Sequence, residues 1–260
     1  MHGMGSITRK ELGSLFTQPI AYVVLVCFLM LSGLFFFLIL QEYSLAMQEY
    51  GWQMPELNVT EYVLAEFFGL LSVLILFIVP FMTMRTFAEE RRSGTDELLL
   101  TAPIRVESVV WGKFLGTLFF FGVAMVLTLP GPIILYRISD PDPGVMLTGY
   151  LGLLLMGGAF IAVGCFISSI TKNQIVAAVL TFAAFLFMWI VSAAGEYLSS
   201  DPSTLLLYIS KGLSYLSLND HFPDFINGLL DTKHVVYFLS FIVFFNFLTQ
   251  RSLESARWRA

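Results

Sequence analysis

Residues 84–116 read MRTFAEERRSGTDELLLTAPIRVESVVWGKFLG, a charged, amphipathic island between two long apolar runs. Arg85, Glu89, Glu90, Arg91 and Arg92 lead to Ser93, Gly94 and Thr95. Gly94 is placed to break one helix, and Ser93 or Thr95 to cap the next. Asp96 and Glu97 then fall in that helix's first turn, where the dipole favours acids. Leu98, Leu99 and Leu100 follow, a patch too short to span a bilayer and too concentrated for a solvated loop, and Pro103 stops the helix. The segment reads as a docking element. Orientation by positive charge alone explains Arg91 and Arg92, but not Glu89, Glu90, Asp96, Glu97 or the leucines.

The runs on either side require a membrane. Apolar residues make up 57% of the 260-residue chain, charged residues 13%, and mean hydropathy is +0.79; soluble domains carry roughly 45–50% and about 25%. A span needs about 20 predominantly apolar residues. Six are read, at 20–40, 65–84, 114–136, 147–170, 175–194 and 235–249. The first exceeds a signal peptide's apolar region of about 7–15 residues and no A-x-A-like site follows it, so it is expected to remain in the mature protein. The reading is a single all-α membrane domain over 1–260.

Lysine and arginine set the orientation. With six spans, Arg9, Lys10, Arg85, Arg91, Arg92, Arg105, Lys113, Lys172, Arg251, Arg257 and Arg259 share a side with both termini, and only Arg137, Lys211 and Lys233 lie opposite. Eleven against three places the termini and the 85–113 region in the cytoplasm. Glu42, Glu49, Glu56, Glu61, Asp140, Asp142, Glu196, Asp201, Asp220, Asp224 and Asp231 fall outside, so the net charge of -5 describes an acidic outer face. No nucleic-acid partner is indicated.

Residues 5–19 place Ile7, Leu12, Leu15 and Phe16 among Arg9, Lys10 and Glu11, a spacing that suits an interfacial amphipathic helix ending before Pro19. Residues 195–233 are too apolar for a solvated loop and are broken by Pro202, Gly212, Pro223 and Gly228, which predicts short helices on or in the outer leaflet. Asp220, His221 and Asp224 fix no metal geometry without a fourth ligand, and a polar helix face is the simpler reading. Cys27 and Cys165 both lie toward the reducing side and read as small buried hydrophobes without a disulfide.

Within the spans no Asp, Glu, Lys or Arg lies near the middle, which disfavours an ion-coupled pathway. Gly112 with Gly116, Gly158 with Ala162, and Gly164 with Ser168 are small-xxx-small pairs, read as close packing within one subunit. Pro80, Pro130 and Pro132 are expected to kink the ends of spans two and three. Asn246 is expected to bond a neighbouring helix.

The run E-E-R-R-x-G-T-x-E-L-L-L-x-x-P at Glu89 to Pro103, with Gly112-Lys113 beyond it, resembles the coupling region of ABC-2 type transporter permeases. The closest likeness is to the gliding-motility and nitrous-oxide-reductase-associated permeases. His221, Phe222, Phe225, Gly228 and Asp231 match their H-F-x-x-F-x-x-G-x-x-D signature before the last span, and Arg9-Lys10-Glu11-Leu12 with Pro19-Ile20 is similar to their N-terminal helix. The resemblance implies a type V exporter-like fold: an N-terminal interfacial helix, six spans, a coupling helix between spans two and three, and outer-leaflet helices between spans five and six. It implies an inner-membrane permease that docks ABC ATPase subunits through Glu89 to Pro103 and pairs with a second copy or a related permease. It also leaves room for an extracytoplasmic accessory protein, beside membrane lipids. ATP and Mg would belong to the ATPase, and no cofactor is expected in this chain.

The residues themselves carry no Walker A loop: Lys113 is followed by Phe114, and Glu107 stands five positions before Gly112. H-E-x-x-H and G-x-S-x-G are also missing. The activity that the resemblance implies is ATP-driven export or extraction of a lipidic or amphipathic substrate, with hydrolysis in a partner. A force-transmitting subunit that moves no solute is the alternative; a secondary transporter is less favoured, for want of intramembrane charge or an evident inverted repeat.

Overall fold

The computed structural model describes residues 2–50, 59–95, 105–139, 141–199 and 217–257. Among them the chain is helical throughout, and six helices are long and apolar enough to cross a membrane. Helix α1 (His2–Thr17) meets α2 (Pro19–Tyr50) at Gln18, where Pro19 can start a helix but cannot continue one. A π-helical turn, Thr60–Leu64, leads into α3 (Ala65–Thr83). After a tight turn come α4 (Ala88–Ser93), α5 (Val106–Thr128), α6 (Pro130–Ile138), α7 (Pro143–Ile170) and α8 (Gln174–Ser199). A 3-10 turn, Asn219–His221, and the short α9 (Pro223–Ile226) precede α10 (Thr232–Arg257).

All the spans but α3, which keeps to its expected limits, run longer than expected where nothing in the flanking sequence breaks the helix. α2 runs ten residues past Leu40, and α5 begins at Val106, so Gly112 and Lys113 lie inside a helix rather than before one. Pro130 divides the third span, as its missing N–H requires, and α6 continues beyond it. Pro80 lies inside α3, three residues from its end.

α7 is the axis of the bundle. It packs against α3, α5, α8, α9 and α10, and 78% of its most apolar window is buried, against 22% for the windows of α2, α8 and α10. Its glycines explain the difference. Gly152 receives Phe225 and Phe222, and Gly158 receives Ile242 of α10 and Leu118 of α5. Gly112 and Gly116 of α5 do the same for α1: a methyl group there would lie 2.9 Å from Ile7 Cγ2 and 2.9 Å from Glu11 Cβ. All three small-residue pairs thus serve contacts within the chain.

Two expectations change. Cys165 is buried, but Cys27 faces outward because α2 gives little of its surface to the bundle. Asn246 donates from Nδ2 to the Ile242 carbonyl at 2.9 Å, one turn back in its own helix, rather than to a neighbouring helix.

Candidate functional site

The first part of the island, the α3–α4 turn and α4, is seated by two polar side chains from other helices. The α3–α4 turn leaves backbone groups without helical partners, and Ser168 of α7 meets them: its Oγ accepts from the Phe87 and Ala88 amides, each at 3.1 Å, and donates to the Met84 carbonyl at 3.2 Å. Gly164, one turn earlier, admits the Thr83 side chain. Ala88 and Met84 then pack on Ala177 of α8.

Lys113 is the second tie. Only 3% exposed, it reaches from α5 to the Thr86 carbonyl, to Glu90 Oε1 at 2.9 Å and to Glu11 Oε2 of α1 at 3.7 Å, with its ammonium 4.9 Å from the Phe87 ring centroid. A buried ammonium is tolerable only with such partners. Burial pushes the Glu11 carboxyl above its ordinary value, and Lys113 opposes that shift. Arg85 adds a bond from Nη1 to Gln18 Oε1 at 3.1 Å. One cation therefore joins α1, α4 and α5, and one hydroxyl joins α4 to α7.

α4 ends as its sequence dictates. Gly94 adopts φ +68°, the left-handed conformation that favours glycine, and its amide and that of Thr95 close on the Glu90 carbonyl. Ser93 and Thr95 turn back into α4, where Ser93 Oγ reaches the Glu89 carbonyl at 2.9 Å. Glu89, Arg92, Ser93, Gly94 and Thr95 are exposed, whereas Glu90 turns inward to Lys113. Asp96, Glu97, Leu98, Leu99, Leu100 and Pro103 lie outside the described residues.

At the opposite end the second motif forms a compact hairpin. His221 Nδ1 sits 2.8 Å from the Ser217 carbonyl, and its ring stacks on Tyr237 with centroids 3.8 Å apart. Phe222 and Phe225 enter the space at Gly152. Gly228, at φ +80°, reverses the chain, and Asp231 caps α10 by accepting the Lys233 amide at 3.0 Å. Asp220, His221 and Asp224 do not converge: Asp220 bonds Ser192 and Ser217, while Asp224 pairs with His234 Nε2 at 2.7 Å. The acids that gather with a histidine are Asp224 and Asp231 around His234, and the pairs just described, with Lys233 on Asp231 at 2.8 Å, already occupy them.

A helical chain with six helices long and apolar enough to cross a membrane agrees with the outcome of comparison with known proteins: a family model described as an ABC-2 family transporter protein matches residues 40–249. The chain belongs to the ABC-2 transporter family. It is accordingly the permease, the membrane subunit of an ABC transporter whose ATPase is a separate partner. A search of curated proteins returns no match.

Sequence reading did not single out the residues that hold α4 in place. Glu11 carried a signal, since Ile7, Glu11 and Leu15 recur every four residues on one helical face, which marks the acid as buried. Lys113, flanked by Val109, Val110, Trp111, Phe114 and Leu115, carried another, as a lone cation in an apolar run implies a partner. Ser168 had none beyond its spacing from Gly164.

Proposed function

We propose that this permease exports or extracts a lipidic or amphipathic substrate, driven by ABC ATPase subunits that dock on residues 85–113 from the cytoplasm. The arrangement that carries the reading is the double tie of the island: through Lys113 and Ser168, a force on α4 reaches α1, α5 and α7 together. Leu98 to Leu100 supply the buried contact, and Glu89, Arg91, Arg92, Asp96 and Glu97 set its register by charge complementarity. A second copy or a related permease completes the path, both termini lie in the cytoplasm of an inner-membrane protein, and the motif-level likeness to gliding-motility and nitrous-oxide-associated permeases extends to the outer hairpin.

Changing Leu98, Leu99 and Leu100 to Asp should release the ATPase from purified complexes while the membrane subunit stays monodisperse. Co-purification at the wild-type ratio would refute the docking assignment.

A second reading has its own support. α7 carries Ser168 under the island and Gly152 under the hairpin, so one rigid buried helix joins the two ends. That geometry suits force transmission to an extracytoplasmic accessory protein without solute movement. ATPase activity in liposomes stimulated by substrate alone favours export; stimulation only with the accessory protein favours force transmission.

A further inference from the structure

A groove of about 910 Å³ opens between α2 and α3 at the end away from the island, roofed by Ile226 of α9. Its size lies within the ~300–1,000 Å³ range of small-molecule sites. Phe35, Leu38, Ile39, Leu70 and Val73 form its walls, and Glu42, Tyr62 and Glu66 stand together at one end. Seven residues separate Glu42 from Phe35 and Glu66 from Val73, so each helix presents about 10 Å of wall below its carboxylate.

Glu42 takes a hydrogen bond from Tyr62, and Glu66 stands near the same phenol. Both are exposed, and no lysine or arginine lies among the described residues lining the groove. Glu66 lies in the first turn of α3, where the helix dipole favours an acid but supplies no counter-cation. Carboxylates above an apolar slot complement a ligand that is positive at one end and aliphatic at the other. They also argue against a second copy of the chain as the occupant, since a two-fold contact here would bring Glu42 and Glu66 against their own counterparts.

We propose that this groove binds an amphiphile with a cationic headgroup, the headgroup between Glu42 and Glu66 and the tail against Phe35, Leu38 and Val73. The inference rests on the permease reading and narrows its substrate class. An anionic lipid headgroup is excluded from the same position by charge.

The test uses the full chain, without the ATPase, in phosphatidylcholine nanodiscs. A dansyl-labelled C12 alkylammonium probe is titrated against the matched C12 carboxylate, with empty nanodiscs as the baseline. The ammonium probe should bind saturably and at least tenfold more tightly than the carboxylate. Glu42→Gln with Glu66→Gln should erase that difference without changing the melting temperature, and Val73→Trp should weaken the ammonium probe by filling the slot. Equal affinity for both probes, unchanged affinity in the double glutamine variant, or disulfide cross-linking of two copies through Gly69→Cys would each overturn the assignment. Because binding is read without the ATPase, failure here with ATPase co-purification intact would sink the groove and leave the permease reading standing.

Discussion

A lysine buried to 3% exposure in an apolar helix is stable only while its charge is matched, and Lys113 is matched by acids from two different elements. Both partners keep some contact with solvent, so removing the cation should cost toward the lower end of the ~3–5 kcal/mol expected for breaking a buried pair. Lys113→Met leaves Glu11 and Glu90 side by side. The neighbouring carboxylate then pushes the Glu11 pKa, which burial already holds high, further up. A raised folded-state pKa contributes stability below the unfolded value and loses it as pH rises through the folded one. The variant should therefore be less destabilised at pH 5 than at pH 8 in thermal unfolding. Replacing all three charges with Met and Leu should restore stability but not coupling to the ATPase, which separates a positioning role from mere packing. A Lys113→Met protein that melts like the wild type at both pH values would remove Lys113 from the argument.

At the scale of elements, the hairpin from Ser217 to Asp231 is held by stacking and burial, and its one buried titratable ring gives it a pH dependence. Burial lowers the His221 pKa, with His234 and Lys233 acting in the same direction and the Ser217 carbonyl and Asp220 opposing. With the folded value below the unfolded one, stability is full above about pH 6.5 and declines as pH falls from there toward the folded pKa. His221→Phe keeps the stack on Tyr237 and removes the charge. Its melting temperature should fall less than that of the wild type between pH 7 and pH 5; parallel curves would show that His221 is not the titrating group. The motif was legible because Gly228 and Asp231 do local work, reversing the chain and capping α10. The destination of Phe222 and Phe225 was not, since the space at Gly152 lies some seventy residues away in the chain.

For the whole molecule, the positive-charge asymmetry predicts opposite sides for the two ends of α10. In a chain with Cys27 and Cys165 replaced by alanine, Lys233→Cys should react with a membrane-impermeant maleimide in intact spheroplasts, and Ser255→Cys only after permeabilisation. The reverse pattern would invert the topology and with it the docking surface. Number and order of spans were legible because lipid leaves helices as the only economical form for long apolar runs. The turn at Gly94 and the breaks at Pro19 and Pro130 were legible because glycine and proline act through their own backbones. Helix limits were not, since α2 and α5 continue past the apolar runs until something stops them. The sequence by itself determined that the chain is a helical membrane subunit with a charged island. Only the tertiary structure decided that Glu90 turns inward, that Lys113 and Ser168 hold α4 in place, and that α7 is the buried axis. The physical reason is that these contacts join residues distant in the chain, and hydropathy records how apolar a helix is but not which of its neighbours it meets.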